Sequence, residues 1–390
     1  MSTKASDSVL DTLADLVRIN SVNPSYEGGV DELELAQYVE AFFADRGIDT
    51  YRQVVFPNRP NVVARVAGAD PGRRIVLEAH MDTVSAAGMS IEPWKAEIKS
   101  GKLYGRGACD TKAGLAAMMH AVASLVEQKL TPNCEVMFAA TVDEEYSYRG
   151  VVALCESDFR ADVAIVAEPT GLQAVIASKG LVRWKIEARG KAAHSAKPHL
   201  GVNAIVHMAK VIMAIQQDTL ELTRIEHRLL GPATCNVGLV RGGVQINFVP
   251  DRCEIEIDRR LLPDETIDSV LAHYQTLVDS VTKDDPTMQV VMHHPMLTDR
   301  PLETDASSLP VQTMVDVLRR LGLDATLIGV PFCSDASKFG AIGIPSMILG
   351  PGSIDQAHAA IEFVDCDQVI RAVDIYRQFI FAFQPPASET

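Results

Sequence analysis

The chain has 390 residues, a formal net charge of -15 and a hydrophobic fraction of 47%. This length exceeds what one hydrophobic core usually organises, so two domains are expected. The acidic balance, without any cluster of Lys and Arg, argues against nucleic acid or an anionic membrane as a partner.

The first residues carry no uninterrupted apolar run, and no stretch approaches the roughly 18 apolar residues that span a bilayer. The sequence therefore predicts a cytoplasmic protein. Its seven cysteines are scattered and never form a CxxC pair. They are expected to be reduced thiols.

The first part of the chain alternates helical and strand patterns. Apolar residues at helical spacing begin at Val9, a second helix is closed by Gly47, and a capped helix is predicted from Thr111 to about Gln128. Short apolar runs predict buried strands at residues 61–66, 74–79, 135–141 and 162–167. This order indicates an open α/β fold with a mostly parallel sheet and helices on both faces.

The pattern changes after Ser178, where apolar residues from Val182 to Ala188 alternate with charged ones, as in a strand with one solvated face. A β-α-β-β-α-β order then predicts an inserted α+β ferredoxin-like domain at residues 178–292. The α/β pattern resumes near Leu302. The first domain is therefore expected to comprise residues 1–177 and 293–390.

His80 and Asp82 stand two positions apart at the end of a predicted strand, so both side chains point the same way. His80 could bind a metal while Asp82 orients its other ring nitrogen. A histidine satisfied within the core is the alternative.

Acidic residues end other apolar segments. Asp110 follows two glycines and opens a helix, either as an N-cap or as a carboxylate directed to the sheet edge. Asp143, Glu144 and Glu145 form either a solvated acidic turn or a group whose repulsion a cation relieves. Glu168 ends an apolar strand, where a buried carboxylate needs a partner.

His358 lies in a turn-rich loop and could by itself be a surface histidine. However, all of these residues follow a strand or start the next helix, where open α/β sheets bind their ligands. Two histidines and three carboxylates suit Zn²⁺, and Mn²⁺ or Co²⁺ as further candidates. A carboxylate shared by two ions would let them activate one water and polarise a carbonyl, so hydrolysis is the expected chemistry.

Eight segments carry a resemblance to a known family. In chain order they are LEAHMDTV, LYGRGACDTKAG, TVDEE, VAEPT, KAAHSAKPHLGVNAI, GGVQINFVPD, DRRLLP and GPGSIDQAH. Over nearly the whole chain they resemble the co-catalytic zinc hydrolases that include acetylornithine deacetylase, succinyl-diaminopimelate desuccinylase and glutamate carboxypeptidase.

This resemblance implies a site that binds two Zn²⁺ ions. It implies Asp110 as the bridging ligand, with His80 and Glu168 completing one ion and Glu145 and His358 completing the other. Asp82 would orient His80, and Glu144 would act as general base and later as proton donor to the leaving amine.

The inserted domain resembles the family's dimerisation lid, so a homodimer is expected. His194 matches the residue that reaches a partner subunit's site to stabilise the oxyanion, and an exposed lid histidine is the alternative. Arg259 matches the position expected to hold the substrate's carboxylate, with a surface ion pair as the alternative. Asn247 is expected to assist substrate binding.

The segments at residues 331–336 and 350–358 look more similar to acetylornithine deacetylases than to desuccinylases, although Ser334 and Asp335 blend both patterns. Tyr146 stands where small residues often follow the acidic pair. The expected activity is hydrolysis of an N-acyl amino acid or short peptide, with an N-acetylornithine-like compound favoured. Desuccinylase, aminoacylase and glutamate carboxypeptidase activities are alternatives, as is a non-catalytic binding protein on the same scaffold.

Overall fold

The structure is a computed structural model that describes residues 8–157 and 160–385. The chain divides into two compact units. The first takes its described residues from Met1–Ile176, Thr304–Ile328 and Ser334–Thr390, and the second comprises Ala177–Glu303 and Gly329–Cys333.

The α-helices of the described residues are numbered in chain order. They are α1 (Val9–Arg18), α2 (Leu33–Ala44), α3 (Lys112–Glu127), α4 (Arg149–Glu156), α5 (Ala204–Leu222), α6 (Ile267–Thr282), α7 (Leu309–Arg320), α8 (Ala336–Ala341) and α9 (Cys366–Ala382). Short 3-10 helices cover Pro198–Leu200 and Ile354–Gln356.

The strands of the described residues are numbered in the same way. They are β1 (Thr50–Phe56), β2 (Arg59–Val66), β3 (Asp70–His80), β4 (Glu97–Lys99), β5 (Lys102–Tyr104), β6 (Cys134–Thr141), β7 (Val163–Val166), β8 (Val175–Ser178), β9 (Gly180–Arg189), β10 (Ala193–His194), β11 (Glu226–His227), β12 (Gly231–Pro232), β13 (Thr234–Gly242), β14 (Phe248–Val249), β15 (Arg252–Leu261), β16 (Gln289–Met292), β17 (Leu297–Asp299), β18 (Leu302–Glu303), β19 (Ile328–Val330), β20 (Ser346–Ile348) and β21 (Phe363–Asp365).

The helices of the first unit follow from the local sequence. Ser8 caps α1 by accepting a hydrogen bond from the N–H of Leu10, and the apolar face of α1 is buried. Gly47, with a φ of 69°, follows α2, where glycine adopts the left-handed conformation without a steric penalty. The predicted helix between Thr111 and Gln128 is confirmed as α3, with these two residues as its caps.

The first unit is built on a mixed sheet in the strand order β1-β2-β6-β3-β7-β20-β8. The central pairs β6-β3, β3-β7 and β7-β20 are parallel, whereas β1-β2, β2-β6 and β20-β8 are antiparallel. The prediction of parallel pairing therefore holds for the central strands only. The β1–β2 pair is antiparallel because a tight turn joins the two strands.

Helices pack in two groups on this α/β sheet, in agreement with the predicted fold class. Helix α3 packs on α1 and α9, and α7 packs on α9, whereas α4 contacts α8, which lies on β7 and β20. Because the central strands are parallel, the carboxyl ends of β3, β6, β7 and β20 meet at one edge of the sheet. This edge carries His80, Glu144, Glu145 and Glu168, which lie at or just after the ends of β3, β6 and β7.

The second unit contains an antiparallel sheet in the order β13-β15-β9-β16, with β17 also paired to β9. Helices α5 and α6 pack on the sheet around Trp184, Met208 and Tyr274. The predicted β-α-β-β-α-β order is present as β9-α5-β13-β15-α6-β16. The unit extends beyond the predicted end at residue 292, because β17 continues the sheet before the chain returns to the first unit.

Within the described residues, none of the helices combines the length and the hydropathy needed to cross a bilayer. The seven cysteines all lie in the described part of the chain, and none of them forms a disulfide bond there.

Candidate metal centre

His80 is the last residue of β3, and its imidazole is 2% exposed. Its Nδ1 lies 3.0 Å from the carbonyl oxygen of Asp82 and 3.6 Å from the Asp82 carboxylate. Its Nε2 lies 3.2 Å from Oδ1 of Asp110. One ring nitrogen is therefore held by Asp82, and the other is directed to Asp110.

Asp110 lies in the loop before α3, and its carboxylate faces two histidines. Oδ1 lies near His80, and Oδ2 lies 3.3 Å from Nε2 of His358. The preceding backbone is fixed because Glu362 accepts hydrogen bonds from the N–H groups of Cys109 and Asp110, at 2.9 and 3.1 Å. Since α3 begins without a side-chain cap bond, the structure does not support the N-cap alternative for Asp110.

Glu144 and Glu145 follow β6 in a turn whose backbone is bound to Asp82. The Asp82 carboxylate accepts hydrogen bonds from the N–H of Glu144 at 3.1 Å and from that of Glu145 at 3.2 Å. The Glu145 carboxylate lies 3.1 Å from Nε2 of His358. Tyr146 is 53% exposed and stacks edge-on against Tyr26, whose hydroxyl donates to the carbonyl of Glu145.

Glu168 follows β7 and is buried beside His80 and Asp110. The chain after β20 passes directly over its backbone. A Cβ atom at Gly350 would lie 2.6 Å from the carbonyl oxygen of Glu168, so only glycine permits this approach. The loop that follows Gly350 carries His358, which adopts a φ of 58° and exposes 54% of its side chain.

The five predicted ligands form two groups that share one residue. His80, Asp110 and Glu168 offer ligand atoms within 4.8 Å of one another, as do Asp110, Glu145 and His358. Two ligand atoms bound tetrahedrally to one zinc at about 2.0 Å are separated by about 3.3 Å. The measured separations of 3.1 to 3.3 Å between histidine nitrogens and carboxylate oxygens match this spacing. The donor set and its spacing therefore fit a pair of metal ions.

The electrostatics of the cluster also favour a cation. Burial and the negative charge of Asp110 raise the pKa of Glu145 to about 7, although His358 opposes this shift. Burial and the same neighbour hold the pKa of Glu168 well above its ordinary value. Hydrogen bonds to Asp110 and Glu145 raise the pKa of His358 to about 10. Buried carboxylates crowded in this way are relieved by positive charge.

Glu144 precedes Glu145 in the turn after β6 and belongs to neither group. Burial, the largest influence, raises the pKa of its carboxyl well above the ordinary value, and Asp335, Glu145 and Asp110 add to the rise, while His80 opposes it. The adjacent acids Glu144 and Glu145 therefore occupy different environments.

His194 and Asn247 lie together in the second unit. Strand β10 pairs with β14, and the N–H of Ser195 donates to the carbonyl oxygen of Asn247 at 3.0 Å. Both residues are exposed, and Nδ1 of His194 accepts a hydrogen bond from the N–H of Ala196.

Arg259 is buried within the second unit. Its side chain is 2% exposed and lies on the helix-facing side of β15, where it pairs with Glu265 and donates to the carbonyl of Arg260. Alternation along the strand places Arg260 on the opposite face, beside Asp258 and Cys333. The guanidinium pairs with Glu265, while its buried Nε has no hydrogen-bond partner among the described residues. The binding of a substrate carboxylate by Arg259 stays a prediction.

Glu362 and Arg106 support the site but were missed in the sequence. Both are buried, and Nη1 of Arg106 donates to Glu362 at 2.6 Å. The only indication in the sequence was that Glu362 lies four positions after His358. The segment has no apolar periodicity that would have predicted a buried position.

Comparison with known proteins identifies the family. The sequence model of the peptidase family M20/M25/M40 matches residues 76–382, and the chain belongs to this family. It is therefore an enzyme that acts on amide bonds.

Two curated relatives match over nearly their full length. A Staphylococcus aureus protein named as a probable succinyl-diaminopimelate desuccinylase is 28% identical, with 97% of this chain and 98% of the relative covered. An acetylornithine deacetylase of Myxococcus xanthus is 29% identical, with 95% and 96% covered. Among solved structures, the aminopeptidase PepT of Bacillus cereus shares the fold with a TM-score of 0.79, at 23% identity and with 96% and 97% of the chains covered.

Proposed function

We propose that this enzyme is a two-metal hydrolase that cleaves the linear amide of an N-acyl amino acid. One observation carries the proposal: Asp110 is common to both groups of ligand atoms, whereas Glu144, next to Glu145 in the chain, belongs to neither. A carboxylate common to both groups would allow two metal ions to be held close enough to act on one water.

In this proposal His80, Asp110 and Glu168 hold one Zn²⁺, and Asp110, Glu145 and His358 hold the other. The mixed nitrogen and oxygen donors also suit Co²⁺ or Mn²⁺. Two such ions lower the pKa of a water and polarise the amide carbonyl.

Glu144 is the proposed proton carrier. Its carboxylate takes the proton from the attacking water and delivers it to the nitrogen of the leaving amine, so that the amide C–N bond breaks and the proton is retained in the products. Asp82 acts through His80, because it holds Nδ1 and leaves Nε2 directed to the metal site.

The names of the relatives support the substrate class. Two of them are named as a deacetylase of acetylornithine and as a desuccinylase of succinyl-diaminopimelate, and both substrates are N-acyl amino acids. An N-acetylornithine-like compound is the favoured substrate because of the segments at residues 331–336 and 350–358. A panel of N-acetyl and N-succinyl amino acids and dipeptides tests this choice, and preferential turnover of dipeptides would contradict it.

Chelation tests the metal requirement. The purified enzyme is expected to lose hydrolytic activity on treatment with a chelator and to regain it with Zn²⁺ or Co²⁺ at a stoichiometry of two ions per chain. Turnover that resists complete removal of metal would refute the proposal. The alternative of a binding protein without catalysis predicts retention of panel compounds without any product.

We also propose that the second unit mediates a homodimer, that His194 stabilises the oxyanion in the partner's site, and that Asn247 assists substrate binding. Strand β13 forms an edge of its sheet and exposes Leu239 and Val240, and α5 exposes Met213. Apolar edge strands of this kind pair readily with a second copy.

Sedimentation tests the dimer. Val240→Asp on β13 is expected to yield monomers with reduced activity, whereas Val54→Asp, at a position 76% exposed on β1, serves as a matched control. A fully active wild-type monomer would contradict this assembly.

A further inference from the structure

Asp143 forms the corner between β6 and the turn that carries Glu144 and Glu145. Its φ is 70°, in the left-handed region that aspartate tolerates better than most residues. Its side chain is 1% exposed and has no place in either group of ligand atoms. The backbone conformation at Asp143 therefore sets the direction of the Glu144 and Glu145 side chains.

Three side chains hold the Asp143 carboxylate. Oδ1 accepts hydrogen bonds from Nδ2 of Asn23 and Nη2 of Arg59, each at 2.9 Å. Oδ2 accepts a hydrogen bond of 2.5 Å from the hydroxyl of Ser147. Ser147 belongs to the same turn, whereas Asn23 and Arg59 are distant in the chain, so the carboxylate connects the corner to the loop after α1 and to β2.

Asn23 connects this corner to the residue behind His80. Its amide nitrogen also donates to Oδ2 of Asp82 at 2.8 Å, and its amide oxygen accepts from the N–H of Ser25. Asn23 is completely buried. One amide group thus bridges two buried carboxylates, which would otherwise repel each other.

Asp82 completes the connection, because it contacts both parts of the site. It lies behind His80, and it accepts the backbone N–H groups of Glu144 and Glu145. The position of the imidazole and the position of the acidic turn are therefore set by the same carboxylate.

Arg59 anchors the network in the body of the unit. Its guanidinium binds the buried carboxylate of Glu32 through two hydrogen bonds of 2.6 and 2.7 Å while it holds Asp143. Paired bonds of this type fix the plane of the guanidinium as well as its position.

We infer that Asn23, Asp143 and Arg59 are positioning residues, which set the turn bearing Glu144 and Glu145 in register with His80. The inference rests on the proposed two-metal function. None of the three belongs to the proposed ligands or carries the proton. Their loss should therefore lower kcat and metal affinity while KM changes little, because an error in the position of reacting groups acts mainly on the chemical step.

The test uses variants that keep the unit folded. Arg59→Ala would leave two buried carboxylates without their cation and is expected to prevent folding, so it is unsuitable. Asn23→Ala removes the bridge, and Ser147→Ala removes one bond to the corner, which Ser147→Thr restores. Asn133→Ala is the matched control, since Asn133 makes a tertiary hydrogen bond to the carbonyl of Phe381 at the opposite end of β6.

Asn23→Ala is expected to lose about 10- to 100-fold in metal affinity or kcat, as is usual when a group that orients a metal ligand is removed. The visible absorption spectrum of the Co²⁺ form should change as well, because it reports the ligand geometry. Ser147→Ala should show a smaller loss, and Ser147→Thr should recover it. Asn133→Ala should lower the thermal stability of the metal-free protein without altering the spectrum or kcat.

Two failures are distinguishable in these measurements. If wild-type enzyme shows no metal-dependent hydrolysis, the proposed function fails, while metal affinity and the Co²⁺ spectrum still report on positioning. If wild type behaves as proposed but Asn23→Ala matches Asn133→Ala in kcat, metal affinity and spectrum, the positioning inference is wrong. A rise in KM at unchanged kcat would also refute it.

Discussion

The carboxylate of Glu362 accepts a hydrogen bond of 3.1 Å from the backbone N–H of Asp110, although 252 positions separate the two residues in the chain. The same carboxylate binds the N–H of Cys109 and the guanidinium of Arg106. The proposed bridging ligand is therefore held by its backbone as well as by its histidine neighbours, and the returning chain after His358 supplies this support.

Removal of Glu362 should affect both stability and metal binding. Glu362→Ala leaves Arg106 buried without its anion, a change that costs about 3 to 5 kcal/mol of unfolding free energy. Metal affinity should fall because the Asp110 backbone loses its acceptor. Urea unfolding of the metal-free protein and metal titration measure the two effects. Glu97→Ala, which removes an exposed ion pair with Lys95, should change neither, and equal effects of the two variants would contradict this role.

Glu144 and Glu145 should respond differently to the same substitution. Glu144→Ala is expected to retain two metal ions per chain and to lose about 10² to 10⁴ in kcat, because it removes the general base but no ligand. Glu145→Ala should lose metal, since its carboxylate belongs to one of the ligand groups. Elemental analysis and steady-state kinetics distinguish them. Normal turnover by Glu144→Ala would remove this residue from its proposed role.

Substitution of Arg259 and of Arg260 should lower the free energy of unfolding by different amounts. Arg259→Ala leaves Glu265 without its partner inside the second unit, and we expect a loss of about 3 kcal/mol in unfolding free energy. Arg260 is partly exposed and pairs with Asp258, so Arg260→Ala should cost about 1 kcal/mol or less. Urea unfolding measures both. A large increase in KM for Arg259→Ala at unchanged stability would instead show that Arg259 holds the substrate's carboxylate.

The pH dependence of stability should depend on His120. Burial, assisted by the charge of Arg46, lowers the pKa of this histidine from 6.5 to about 4. Its Nε2 shares a hydrogen bond of 2.8 Å with the hydroxyl of Thr12. Below about pH 6.5 this histidine binds a proton in the unfolded chain, but in the folded chain it stays neutral down to about pH 4. Protonation therefore favours the unfolded chain, and the free energy of unfolding falls as the pH is lowered from about 6.5 towards 4.

The expected loss from this residue between pH values of about 7.5 and about 5 is about 2 kcal/mol. Unfolding measurements at the two pH values should show a smaller loss for His120→Gln, which retains a hydrogen-bonding group but does not titrate. An unchanged pH dependence in this variant would show that His120 is not the group responsible.

Several parts of the fold were predictable because they depend on local pattern. The period of the apolar residues gave α1 and α3, and alternation gave β9 and the order of elements in the second unit. The direction of the outer strands was not predictable, because an apolar run has the same appearance in parallel and antiparallel pairs. The extension of the second unit to β17 likewise depends on pairing between distant segments.

Some residues of the site could also be predicted from the sequence, and others could not. His80, Glu145 and Glu168 could be found because each follows a predicted buried strand, where an acid or histidine needs a reason to be present. Asp110 could be found because it follows two glycines and opens a predicted helix. Glu362 could not be found, because its partners are backbone N–H groups that leave no trace in the sequence.

The orientation of Arg259 could not be predicted from the sequence motif. The motif gave two adjacent arginines, and only the pleat of β15 determines that one faces the helices and the other the opposite side.

The sequence by itself determined the family, the two-part organisation and the residue types of a metal site, because motifs and periodicity are properties of neighbours in the chain. Only the tertiary structure decided that the ligand atoms form two groups around Asp110, and that Asn23 joins Asp82 to Asp143. These relationships join residues that are distant in the chain, and their distances are fixed by packing and long-range hydrogen bonds.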